Sequence, residues 1–300
     1  MITDTATIEM LTRETNRRGW LQWWPLIAAL LILVIPTLID LGQQTWSTEA
    51  GAHGPIVIST GLWLLFHDGL AMRNVRRPAN WLFVAGGLTI GLTIYIFGRA
   101  YDFISIEALG LYFALLAIAY RLFGYPQLRR HAFPLLYLGF AVPPPGWLID
   151  RITAPLQMFV SYASAGMLKS AGYPIAREGV TIVVGSYQLL VEDACAGMNS
   201  LVGLIAISLF YIYLLHRASW RYALGLMFLI IPVAIAVNIL RVTALILITY
   251  YFGNEAAQGF LHVTTGIVLF GLAILLIFGF DKLFRHFGLG SVPQPGMVSV

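Results

Sequence analysis

A single cysteine, Cys195, is all the thiol chemistry that this 300-residue chain holds. No internal disulfide is possible, and no metal site can be built from paired cysteines of this chain. Charge is scarce as well: Asp, Glu, Lys and Arg make up 11% of the residues, against about 25% in a soluble domain. Internal repeats, low-complexity tracts and linker-like stretches are missing, so nothing divides the chain into domains. What the chain has in excess is apolar surface, with 59% hydrophobic residues and a mean hydropathy of +0.80. That composition excludes the soluble classes, because most of the chain needs lipid as its solvent. The formal net charge of +4 follows from Arg placed in short loops and gives no ground for nucleic-acid binding.

Apolar runs near Trp20–Leu41, Ile56–Met72, Trp81–Gly98, Phe103–Phe123, Pro134–Ile149, Met198–Leu215, Tyr222–Phe252 and Val263–Phe280 predict about eight spans. Each is close to the roughly 20 residues that carry a helix across about 30 Å of hydrocarbon. The fold class expected is an all-α integral membrane protein, one bundle making a single polytopic domain over residues 1–300. The polar stretch to Arg18 lacks a small-residue cleavage site after it, which predicts an uncleaved first span. Of the 18 Lys and Arg, thirteen fall in alternate loops and at the two ends, four fall in the opposite loops, and Arg241 lies inside the seventh run. The positive-inside rule then puts both termini in the cytoplasm. The stretch after Gly288 is Gly/Pro-bearing and reads as a disordered tail.

On that topology residues 150–194 form the longest extracytoplasmic segment, where a substrate would be met. Its first part, Ile152–Ala171, mixes Met158, Phe159, Tyr162 and Met167 with small and polar residues, as a helix lying along the interface does. The second part reads as a β-hairpin: β-branched Gly179–Val184, a turn at Gly185-Ser186, and a return over Tyr187–Val191. A connector without function is the plainer reading of the same segment.

Several residues carry possible chemistry. Cys195 lies where the outer segment opens the sixth span, and unpaired amides and the helix dipole at that end favour a thiolate. A buried, inert thiol is the alternative. Arg241 sits in the apolar run Ile239-Leu240-Arg241-Val242, where a cation is costly unless it faces a polar cavity or reaches the headgroups. Asn238 is one turn earlier on the same face and is placed to orient it. His262 opens the eighth span, and an imidazole there can shuttle a proton for a thiol, although interfacial histidines often have no such task. Three separate spans thus bring a thiol, a guanidinium and an imidazole to one leaflet. Glu192 and Asp193 are candidates to position Arg241 or bind a cationic substrate group, or else form a solvated pair; Asn199 is a further supporting candidate. His67 and Asp68 read as intramembrane polar residues that pair with one another or with a neighbouring helix, and Pro143-Pro144-Pro145 with Gly146 as a helix stop.

At these residues the sequence resembles the exosortase/archaeosortase family of membrane transpeptidases. Cys195-Ala196-Gly197, Asn238-Ile239-Leu240-Arg241 and His262 to Gly266 match its signatures in order and spacing, over roughly Pro134 to Phe280. The first four spans agree only in general character, and the His form of the third signature is similar to the bacterial exosortase branch. The resemblance implies a thiol protease and transpeptidase of the bacterial inner membrane, active at its outer face. Its substrates would be secreted proteins with a C-terminal sorting signal of Pro-Glu-Pro type, and it often accompanies exopolysaccharide production. By the same analogy Cys195 would form the acyl-enzyme, His262 would move protons, Arg241 would stabilise developing charge, and the acyl acceptor is unknown. No cofactor or metal is implied. Composition alone also permits an envelope transporter or lipid-carrier-processing enzyme with Arg241 binding an anion, or a non-catalytic assembly protein.

Overall fold

The computed structural model describes residues 24–48, 51–67, 69, 79–185, 187–190, 196–215, 220–253, 255–256 and 260–286. The side chains of residues 190, 196–202, 204, 215, 220–224, 226–227, 260–267, 269–270 and 285 fall outside that description. So do the proposed tail from Gly288 and the residue Asp68.

Helix α1 (Trp24–Trp46) ends in a π-turn over Gly42–Trp46. Next come α2 (Gly54–His67), α3 (Trp81–Ala100) and α4 (Ile104–Arg130). Asn80 caps α3, its side-chain oxygen accepting the Leu82 N–H at 3.0 Å, which satisfies one of the amides a helix start leaves bare. In α4 the backbone breaks at Gly124 (φ 75°), two residues before Pro126; a proline removes a helix donor and disfavours helical geometry in the residue before it. A short α5 (Ala132–Leu138) runs into a 3₁₀ turn at Gly139–Ala141. Then follow α6 (Gly146–Ser170), a three-stranded sheet, α7 (Ala196–Leu215), α8 (Trp220–Phe252) and α9 (Phe260–His286).

Among the described residues, α1, α3, α4 and the Phe228–Phe252 part of α8 are long and apolar enough to cross a membrane. The pair α5 and α6, bent by 89°, makes a fifth candidate. Among the described residues four or five of the eight expected crossings are thus shown. Of the second run, 14 residues are described as helix. The sixth and eighth runs do form helices, of 20 and 27 residues. The fifth run, Pro134–Ile149, is not one helix: Pro143, Pro144 and Pro145 supply no N–H donors, so the chain stops and restarts at Gly146 in a new direction. The expected helix of the outer segment is present, and begins earlier than Ile152.

Packing within the bundle rests on small residues. A β-carbon on Gly98 would collide with the backbone of Glu107, and one on Gly110 with the backbone of Tyr95, so these glycines let α3 and α4 approach closely. Polar bonds fasten α1 to that pair. The Arg99 guanidinium donates to Asp40 at 2.9 Å and to Glu107 at 2.8 Å, and Thr37 donates to the same Glu107 oxygen at 2.7 Å. Large apolar side chains such as Ile32, Phe66 and Phe228 point outward, as lipid-facing positions should.

Residues 175–190 form an antiparallel meander, β1 (Ile175–Glu178), β2 (Thr181–Val184) and β3 (Tyr187–Leu190), with β2 central. The hairpin foreseen at Gly185-Ser186 is β2–β3; β1 adds a strand the sequence reading did not anticipate. Gly179 and Gly185 hold left-handed φ values of 61° and 57°, as two-residue hairpin loops require. Open sheet edges are not tolerated in hydrocarbon, so this sheet lies outside it. Its inner face is apolar: Ile182 and Val184 of β2 are buried against Val160 and Leu168 of α6 and against Val242, Leu245 and Ile246 of α8.

Candidate active site

The site is organised around α8, which touches two separate apolar clusters. Its lower part, Ile230, Val233 and Val237, packs with Ile212 of α7 and with Ala273 and Ile277 of α9. The upper part, Val242 to Ile246, carries α6 and the sheet. Asn238 and Arg241 fall at the junction, three residues apart and therefore on one face, with 6% and 5% of their surface exposed. Leu240, beside Arg241 in sequence, is turned outward. Arg241 is thus held inside the protein, and the alternative in which it reaches along lipid to the headgroups does not describe this helix. The backbone here is tied from the side as well: the Ile239 carbonyl accepts from Ser164 of α6 at 3.3 Å and from Thr243 at 2.7 Å.

Cys195, Glu192 and Asp193 lie outside the described residues, as do the side chains of Asn199 and His262. Their chain neighbours bound where they can be. Helix α7 begins at Ala196, so Cys195 directly precedes its first turn. Leu189 of β3 packs against the upper cluster, and six residues on, at no more than about 3.6 Å each, Cys195 stays within about 22 Å of it. His262 belongs to the first turn of α9. Helices α7, α8 and α9 follow one another in alternating directions, so Ala196, Arg241 and His262 all stand on one side of the lower cluster. Arg241 is nearest to it, four residues or about 6 Å beyond Val237. Ala196 is nine residues from Ile205 and His262 eleven from Ala273, about 14 and 17 Å. A guanidinium at depth beneath the openings of two helices can meet negative charge that develops above it.

His67 stacks on Trp63 with ring centroids 4.7 Å apart; its expected partner Asp68 lies outside the described residues. The sequence reading overlooked the polar residues of α6 that hold the sheet in place. Buried Ser161 donates to the Gly179 carbonyl at 3.3 Å, and Ser164 joins α6 to α8. Their signal was small hydroxyls three residues apart on one helical face, read only as a mixed composition. Arg177 also braces the sheet, donating to the Gly179 carbonyl at 2.9 Å and lying over the Tyr162 ring at 5.6 Å.

These features define a helical integral membrane protein in which a small sheet outside the hydrocarbon is seated on the span that carries a buried Asn–Arg pair. The family model for transmembrane exosortases matches residues 45–279, most of the chain, and the protein belongs to that family. Searches of curated proteins and of solved structures each returned no match.

Proposed function

We propose that this protein is a membrane-embedded cysteine transpeptidase of the bacterial inner membrane, which cleaves C-terminal sorting signals of Pro-Glu-Pro type from secreted proteins. The observation that carries the reading is the burial of Asn238 and Arg241 beside a sheet whose last strand runs into the segment bearing Cys195. The proposed topology has eight spans, both termini cytoplasmic and the sheet on the outer face. The 89° bend between α5 and α6 supports the interfacial placing of α6, since a helix perpendicular to a span lies in the interface plane.

In the reaction, the Cys195 thiol gives its proton to His262 and the sulfur attacks the scissile carbonyl. The carbonyl oxygen takes up negative charge that Arg241 offsets, and the C–N bond breaks as His262 protonates the departing amine. A thioester remains on Cys195. His262 then deprotonates the acceptor nucleophile, which attacks the thioester and restores the thiol. Membership of the transmembrane exosortase family supports this chemistry over anion transport.

Cys195→Ala is the deciding variant. It should insert and accumulate normally while precursor retaining its membrane tail builds up, and normal processing would remove the thiol from the mechanism. A membrane-impermeant maleimide should label Cys195 from outside intact cells; labelling only after the cytoplasmic side is opened would invert the topology.

A further inference from the structure

A thiol can attack a peptide bond only where the chain on both sides is drawn out, so the substrate must be held extended close to Cys195. The sheet has two edges, and they differ. Edge strand β1 carries the exposed charges Arg177 and Glu178, and charge on an edge is how folded proteins prevent strands from adding there. Edge strand β3, Tyr187-Gln188-Leu189-Leu190, has neither charge nor proline, and among the described residues no strand lies against its far side.

The register shows what that edge presents. Val184 pairs with Tyr187 and Ile182 with Leu189. A two-residue loop makes its flanking pair the doubly hydrogen-bonded one, and bonded pairs then alternate along the ladder. The main-chain N–H and C=O of Tyr187 and Leu189 are therefore spent on β2, while those of Gln188 and Leu190 point away from it. Leu189 packs into the upper cluster, which anchors the strand. From Leu190 to Cys195 is five residues, at most about 18 Å.

We propose that β3 is the docking edge for the substrate: an extended peptide segment close to the scissile bond adds as a fourth strand, bonded to the backbone of Gln188 and Leu190. The proposal rests on the function assigned above and names how its substrate is held. Recognition of this kind reads main chain at every second residue and leaves side chains on the far face free to vary.

Gln188→Pro tests it in the full-length protein with its precursor. Proline at Gln188 removes an outward N–H and none of the bonds to β2, so processing should slow at least tenfold while impermeant maleimide still labels Cys195. Wild-type processing by Gln188→Pro would overturn the proposal. Should Gln188→Pro lose its labelling, a second measurement decides: peptides N-methylated at one successive position at a time, offered to purified wild-type protein. Loss of cleavage at alternate positions is expected, and sensitivity without a two-residue period would refute strand addition. Inactive Cys195→Ala alongside fully active Gln188→Pro would sink the docking edge alone, whereas active Cys195→Ala would sink the assigned function itself.

Discussion

Replacing Arg241 by methionine should lower both stability and activity. With 5% of its surface exposed, the guanidinium is engaged inside the protein, and removing one member of a buried charged interaction typically costs about 3–5 kcal/mol. Arg241→Met is therefore expected to melt several degrees below the wild type in detergent, followed by tryptophan fluorescence. Activity should fall, because loss of one donor to a developing oxyanion costs about 2.7–4 kcal/mol, or 100- to 1000-fold in turnover. Arg241→Lys keeps the charge but loses the planar fork, and should fall between the two. Precursor processing measured at equal protein levels supplies the activity. A methionine variant that processes normally would exclude Arg241 from the chemistry. One that melts like the wild type would show that no buried group depends on the guanidinium.

Three further outcomes concern the bundle. Arg99→Met leaves the Glu107 carboxylate, 5% exposed, without its guanidinium and should cost about 2 kcal/mol. Adding Glu107→Gln should recover part of the loss, and purely additive melting temperatures would contradict the coupling. Tyr137→Phe removes a hydroxyl 3.0 Å from that of Thr60 and should lower stability by about 1 kcal/mol in thermal melts. Gly110→Leu should prevent recovery of folded protein, since its side chain would enter the backbone of Tyr95, whereas Gly86→Leu meets open space and should be tolerated; equal yields on size exclusion would contradict the close crossing of α3 and α4.

Much of this architecture is written in local sequence. The runs at Trp81 and Phe103 end where α3 and α4 end to within a few residues, apart from the extension of α4 past its Gly124 break. Gly185-Ser186 marked the β2–β3 loop, and the three prolines marked the turn into α6, although they also divide a run that hydropathy alone joins. Strand β1 escaped because Ile175-Ala176-Arg177-Glu178 has the composition of a loop; its pairing with β2 depends on the turn at Gly179 and on the buried face of its neighbour. Arg241 was conspicuous as a cation in an apolar run. The direction it faces was not, because α8 is apolar all round, and such a helix carries no stripe that tells inside from outside. The Arg99, Asp40 and Glu107 cluster stayed hidden for another reason: its members sit at the ends of three different runs, and only tertiary packing brings them together.

The seat of the sheet on α8 fixes how far it stands from the lipid. Ile182 and Val184 rest on Val242, Leu245 and Ile246, so strand and helix move together. At 33 residues α8 is about 50 Å long against a hydrocarbon layer of about 30 Å, and the surplus projects as a rigid post under the sheet. On the proposed function, shortening that post by a full turn would draw the docking edge toward the headgroups and should slow turnover in reconstituted vesicles.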